Sequence, residues 1–111
     1  MEIKSKSSDR NLLLEFSGEM DHHGARNALK ELEMTVDAAL PKNLILDMSG
    51  VTFMDSSGIA VILRSDRLLR QSGGLVRIVG CNEQIRRVLE LSGLGDRIIA
   101  EKEQKEECEL F

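Results

Sequence analysis

Aromatic side chains are nearly absent from this chain of 111 residues, which has three Phe, no Tyr and no Trp. Proteins that bind single-stranded nucleic acid stack the bases on several aromatic rings, and this chain cannot build such a platform. Its net charge of −4 comes without the basic stripe that neutralises the phosphates of a duplex. We therefore expect no direct contact with nucleic acid.

Long apolar runs, cysteine clusters and glycine-rich phosphate loops are missing as well. No apolar run approaches the roughly 20 residues that a membrane-spanning helix needs, and the N-terminus lacks the apolar region of a signal peptide. Cys81 and Cys108 are the two cysteines, and they do not have the spacing of a metal site. Reduced thiols are the usual state in the cytoplasm. We expect a cytoplasmic protein with no membrane contact, no metal and no bound cofactor.

Strand-like and helix-like segments alternate along the chain, which is typical of an α/β domain. Met1–Lys6 and Leu12–Ser17 predict a hairpin, and further strands are predicted at Asn43–Met48, Leu75–Cys81 and, shorter, Ile98–Ala100. Helices are predicted after Asp21, from Gly58 to Gln71 and after Asn82. This pattern predicts one domain over residues 1–111, with a mostly parallel or mixed sheet of four to five strands and helices packed on it. The charged segment 101–111 fits either a terminal helix or a tail.

Two details of the helices bear on the site. The first helix carries an apolar face at helical spacing, formed by Ala25, Ala28, Leu29, Leu32, Val36, Ala39 and Leu40. The second helix is apolar on all sides from Ile59 to Leu63. That surplus fits either burial between the sheet and neighbouring helices or an exposed docking patch next to Ser56.

The stretch Asp55-Ser56-Ser57-Gly58-Ile59 connects a strand to a helix, and we predict that it is the functional site. The preceding residues 49–54 are predicted to form a loop, so that the site loop covers residues 49–58, with Phe53 and Met54 packed beneath it. A helix N-terminus has free N–H groups and a positive dipole, so either serine is a plausible phosphate acceptor. The alternative is that one serine is an ordinary N-cap.

A second group of polar residues, Asp21-His22-His23, begins the first helix. Asp21 is a good N-cap. Adjacent histidines point about 100° apart on a helix and rarely bind one metal ion together, so we expect surface or helix-start residues. A serine nucleophile with a histidine base and an orienting Asp21 or Asp55 is the enzymatic alternative. Because Ser56 is not in a Gly-x-Ser-x-Gly elbow, we expect no enzyme.

These motifs together resemble those of a known family. The segments Asp47–Ser49 and Phe53–Ile59 resemble the signature of the STAS domain family, the anti-anti-sigma factors. The segment Gly18–His23 resembles a second block of that family, closest to its sporulation branch. Gly73-Gly74 and Ser92-Gly93-Leu94 also fall where the family has them, and the resemblance extends from about Leu12 to Ile99.

The resemblance implies a regulatory function rather than catalysis. Its implied partner is an anti-sigma factor that is also a serine kinase, and that partner phosphorylates the serine directly after the aspartate, Ser56. The unphosphorylated form would capture this partner and release the sigma factor; a serine phosphatase would reset the switch, and the free protein would be a monomer. The predicted partner-binding residues are Asp21, His22, His23, Asp55, Ser57, Gly58, Ile59 and Ile62. The alternative function is a STAS scaffold or accessory subunit of a stress-signalling or lipid-transport complex.

Overall fold

The structure is a computed structural model that describes residues 1–98. A hairpin of β1 (Glu2–Ser8) and β2 (Asn11–Met20) leads into α1 (His22–Ala39). The chain continues through β3 (Asn43–Met54), α2 (Ser56–Gln71), β4 (Leu75–Val79) and α3 (Glu83–Leu91), and then a 3₁₀ turn at Gly95–Arg97. The predicted helix or tail at 101–111 lies outside the described residues.

The four strands form one mixed sheet in the order β1-β2-β3-β4. β1 is antiparallel to β2, whereas β2, β3 and β4 are parallel to one another. The predicted α/β class is therefore confirmed, and of the four to five strands predicted for a mostly parallel or mixed sheet, residues 1–98 form four. Because α1 and α2 each follow a parallel strand, both helices begin at the same edge of the sheet, where these strands end.

The core follows the alternation of side chains along the strands. The first face of the sheet carries Leu12, Leu14 and Phe16 of β2 and packs against the buried residues of all three helices. On the opposite face, Leu13, Ile45 and Val79 form a smaller buried cluster. The consecutive apolar residues Leu44–Leu46 are thus buried on both faces of the sheet, as their pattern predicted.

The apolar face of α1 is mostly confirmed, with one exception at its end. Ala25, Ala28, Leu32 and Val36 are buried. Leu40, which we had placed on that face, is instead the C-cap residue in the left-handed conformation, and its side chain is 63% exposed. The helix has already ended at this position, so the helical spacing no longer sets the direction of the side chain. No helix in the part of the chain that the structure describes is long and apolar enough to cross a membrane.

The largest error of the sequence interpretation concerns residues 49–54, which form the end of β3 and not a loop. They stay paired with β2 through Gly18↔Val51, Glu19↔Phe53 and Met20↔Met54, across two register shifts. One of these register shifts falls at Ser49-Gly50, since the partners of β2 pass from Asp47 directly to Gly50. Here the Asp47 carboxylate accepts hydrogen bonds from both the N–H and the hydroxyl of Ser49. The predicted site loop is therefore reduced to Asp55.

Candidate partner-binding site

The two polar blocks of the sequence lie side by side at one edge of the sheet. Met20 and Met54 are paired residues at the ends of β2 and β3, so Asp21 and Asp55 follow at equivalent positions. The Asp55 N–H donates to the Met20 carbonyl at 3.3 Å, which joins the two helix starts directly. The first turns of α1, with Asp21 at its cap, and of α2, with Asp55 at its cap, therefore start from neighbouring positions on the sheet.

Both helices begin with the same pattern, an aspartate followed three residues later by a glycine. The Asp21 carboxylate accepts from the Gly24 N–H at 2.9 Å, and the Asp55 carboxylate accepts from the Ser57 N–H at 2.8 Å. Each aspartate is therefore the N-cap of its helix. The N-cap role of Asp21 is confirmed. The N-cap interpretation of the serines is wrong, since Asp55 holds that position and α2 begins at Ser56.

The hydrogen bond that caps α1 favours the ionised form of the Asp21 carboxyl group. The bond from the Gly24 N–H holds the pKa of Asp21 below its ordinary value, because a hydrogen bond to the ionised form favours that form. Asp21 is therefore an anion at neutral pH. The two neighbouring helix starts thus carry one carboxyl side chain each, Asp21 on α1 and Asp55 on α2.

Ser56 is exposed in this first turn, whereas Ser57 is half-buried. The expected location of Ser56 is thus found, with α2 beginning two residues earlier than predicted. The N-terminal turn of a helix is the place where an added phosphate is best tolerated by the fold. Ser56 thus presents an exposed hydroxyl in this first turn.

The two histidines occupy the first turn of α1, and both are exposed. Their ring centroids lie 6.3 Å apart with the planes inclined by 66°. Over residues 1–98, no group of three His, Cys, Asp or Glu side chains could hold a metal ion. This places His22 and His23 at the helix start and on the surface, where they can meet a partner.

The apolar surplus of α2 is divided between the core and the surface. Val61 and Ile62 are fully buried, so the assignment of Ile62 to the partner surface is wrong: its side chain lies in the hydrophobic core. Leu63 is 52% exposed and Ile59 is half-buried. Both alternatives for this stretch therefore hold in part.

The burial of two residues next to the serines differs from the prediction. Gly58 is buried, and a Cβ at this position would stand 2.5 Å from the Cγ of Met54, so the glycine allows α2 to pack on β3. Phe53 was predicted to pack beneath the site, but its side chain is 41% exposed. Alternate residues of a strand face opposite sides, and Met54 is the buried one.

The start of α3 also contributes to this site, and the sequence analysis found only part of that contribution. Asn82 caps α3 by accepting from the Ile85 N–H at 2.9 Å, as predicted. Gln84, which we had not singled out, makes two hydrogen bonds to the backbone of Met54. Gln84 can reach Met54 because β3 continues past the last residue that pairs with β4. Residue types alone do not show where each of these strands ends.

Comparisons with known proteins agree with this geometry. The family model described as the STAS domain matches residues 2–107. The anti-sigma F factor antagonist of Paenibacillus polymyxa is 32% identical over 83 residues, which are 75% of this chain and 71% of that protein. The solved structure of the anti-sigma factor antagonist SpoIIAA in its unphosphorylated form has a TM-score of 0.82 at 21% identity, covering 99% of this chain and 98% of that one.

A second solved structure, the Bacillus cell fate determinant SpoIIAA in the phosphorylated form, has a TM-score of 0.74 at 22% identity. It covers 96% of this chain and 99% of that chain. At these low identities the two solved structures show that the fold is shared, and the match of the family model shows that the chain is a member of the family. The chain belongs to the STAS domain family, and the similar protein from Paenibacillus polymyxa and the unphosphorylated SpoIIAA structure are described as anti-sigma factor antagonists.

Proposed function

We propose that this protein is a non-enzymatic anti-sigma factor antagonist whose binding is switched off by phosphorylation of Ser56. The observation that carries the proposal is the position of Ser56, which is exposed in the first turn of α2. Asp55 is the N-cap of this helix, so capping does not explain why a serine stands at position 56. The likeness to the anti-sigma F factor antagonist of Paenibacillus polymyxa supports the class of partner. SpoIIAA, which has the same fold, is described in both unphosphorylated and phosphorylated forms.

The partner in this proposal is an anti-sigma factor with serine kinase activity. It contacts the edge formed by the two helix starts, where Asp21, His22 and His23 stand beside Asp55 and Ser57. Ile59 and the exposed Phe53 supply apolar surface at the same edge. Capture of this partner by the unphosphorylated protein releases the sigma factor, and a serine phosphatase restores the binding form. These interactions take place in the cytoplasm.

The sign of the switch follows from charge. A phosphate adds about −1.5 to −2 charges at neutral pH to an edge that already holds two carboxylates. Repulsion between the phosphate and an acidic group of the partner about 6 Å away would weaken the binding free energy by roughly 3 kcal/mol per pair of unit charges, at an effective dielectric constant near 20. That corresponds to a loss of about a hundredfold in affinity.

The positive end of the α2 dipole opposes this repulsion by only about 0.3–1 kcal/mol. This smaller effect acts within the phosphorylated protein and stabilises its first turn. We therefore expect phosphorylation to prevent binding while the domain stays folded.

The proposal is tested with a purified anti-sigma factor kinase, ATP and mass spectrometric mapping of the phosphate. We expect phosphate on Ser56 in the wild type and none on the Ser56→Ala variant. Ser57→Ala, which changes a residue of the proposed interface, should still carry its phosphate on Ser56 even where its affinity for the kinase is lower. Calorimetric titration should show tight binding by the unmodified protein and by Ser56→Ala, and about a hundredfold weaker binding by the phosphoprotein. Equal affinities of the modified and unmodified forms would refute the switch. Binding without any phosphorylation would favour the scaffold function.

The contribution of Asp21 to the partner surface is tested by replacing it with alanine. We expect Asp21→Ala to weaken partner binding more than it lowers the melting temperature, because the carboxylate is at the proposed interface as well as at the cap. Normal binding together with a much lower melting temperature would show that Asp21 is only a cap.

A further inference from the structure

Within residues 1–98, the end of β3 has no strand neighbour on one side. β4 pairs with β3 only from Asn43↔Leu75 to Asp47↔Val79, although β3 continues to Met54. Beyond that point β2 remains as the neighbour on one side. The first residues of α3 lie on the other side, where a strand would have continued.

Gln84 provides the hydrogen bonds that a strand would otherwise make there. Its side-chain oxygen accepts from the Met54 N–H at 3.1 Å, and its side-chain nitrogen donates to the Met54 carbonyl at 2.7 Å. A carboxamide has the same donor and acceptor as a peptide group, so this pair reproduces a ladder contact. Asn82 adds longer contacts of 3.4 Å from its side-chain nitrogen to the carbonyls of Val51 and Thr52.

Met54 is the residue through which this contact reaches the site. Its backbone is paired with Met20 on one side and with Gln84 on the other, and its side chain packs against Gly58. Asp55, the cap of α2, is the next residue, and Ser56 follows. A displacement of the Met54 backbone would therefore move the cap and the serine together.

We propose that Gln84 is a positioning residue that fixes the start of α2, and with it Ser56, by holding the backbone of Met54. This adds a contribution of α3 to the site, beyond the two helix starts that the family motifs mark. The effect on the backbone is independent of any modification, while the effect on phosphorylation rests on the proposed function. The two can be measured separately.

The test compares Gln84→Leu, which keeps the size of the side chain and loses both hydrogen bonds, with Gln71→Leu as a control on the exposed end of α2. Amide hydrogen exchange, followed by NMR, should be roughly tenfold faster at Met54 in Gln84→Leu, since a lost bond of this kind allows local opening. The melting temperature and the exchange of core amides should change little. Gln71→Leu should behave as the wild type throughout.

Phosphorylation kinetics with the purified anti-sigma factor kinase give the second measurement. A misplaced hydroxyl reduces the rate of transfer more than it reduces binding, so kcat for Ser56 should fall about tenfold with a smaller change in KM. An unchanged kcat would show that Gln84 does not position the serine. If the wild type itself is not phosphorylated on Ser56, the proposed function fails, and hydrogen exchange still decides the role of Gln84.

A second variant covers the case in which Gln84→Leu does not fold. Gln84→Glu keeps an acceptor for the Met54 N–H and loses the donor to the Met54 carbonyl, so its exchange rate at Met54 should lie between those of the wild type and Gln84→Leu. Wild-type exchange in both variants would overturn the proposal. So would a uniform increase at all amides with a matching fall in melting temperature, which would indicate a general structural role.

Discussion

Replacing Gly24 with alanine should destabilise the protein, although the same change normally strengthens a helix. Gly24 is buried at the third position of α1, and a Cβ there would overlap the backbone oxygen of Glu19 and stand 3.2 Å from its carbonyl carbon. Glu19 is held in β2 by its pairing with Phe53, so it cannot move away freely. The added methyl group must therefore displace the start of α1.

The expected magnitude is a balance of two effects. Forcing an extra methyl group into a packed site costs about 1–3 kcal/mol, and the rigid obstacle places Gly24→Ala at the upper end of that range. The better helix propensity of alanine returns at most about 1 kcal/mol. A net loss of about 2 kcal/mol corresponds to a melting temperature lower by roughly 10 °C for a domain of this size.

Gly58→Ala is the matched control, because Gly58 has the same place in the Asp-x-x-Gly pattern of α2. Its new Cβ would meet the Cγ of Met54 at 2.5 Å and the sulfur at 2.9 Å, which belong to a side chain with several rotatable bonds. We expect its melting temperature to fall by only a few degrees. Thermal unfolding followed by circular dichroism measures both variants. The steric reasoning would be refuted if Gly24→Ala melted at the wild-type temperature, or if Gly58→Ala had the lower melting temperature of the two variants.

Two further predictions concern titratable groups. Arg97 forms a hydrogen-bonded ion pair with Asp66 at 2.8 Å and holds the pKa of that carboxyl below its ordinary value, so Asp66→Asn should lose about 1–3 kcal/mol of stability at neutral pH. This loss, measured by urea unfolding, should shrink as the pH falls through the folded-state pKa of Asp66. Asp96 is a largely exposed partner of Arg97, so Asp96→Asn should lose less stability. Equal losses in the two variants would contradict the prediction. Burial raises the pKa of the Cys81 thiol to about 11 from an ordinary 9.0. In a variant with Cys108 replaced by serine, iodoacetamide at pH 8 should therefore alkylate Cys81 about a hundredfold more slowly in the native protein than in the urea-unfolded protein. Equal rates would show an accessible, ordinary thiol.

The parts of the fold that the sequence predicted are those in which local patterns and packing agree. The helical spacing of Ala25, Ala28 and Leu32 and the capping residues Asp21 and Asn82 are local signals, and tertiary structure preserved them. The continuous apolar run Leu44–Leu46 indicated a strand buried on both faces. Such segments need no knowledge of distant residues.

The errors arose where a distant neighbour decides the structure. Ser49-Gly50 has the composition of a turn, but β2 continues alongside and keeps β3 extended to Met54. Ile62 belongs to an all-apolar stretch, and only the position of the sheet shows that it faces inward. The role of Gln84 depends on the end of β4, which is equally remote in sequence. For the site, the sequence thus identified the two helix starts and missed the third element that supports them.

The order of the strands also bears on aggregation, because it places β1 at an edge of the sheet. An edge strand presents unpaired backbone groups that can pair with a second copy of the same chain, and lysine side chains on such a strand discourage this pairing. β1 carries Lys4 and Lys6, which lie opposite Glu15 and Leu13 of β2, and both lysine side chains are largely exposed. By this principle the two charges discourage further pairing along a strand whose one strand neighbour within residues 1–98 is β2. Their replacement by threonine would preserve the hairpin while allowing copies of the protein to join edge to edge.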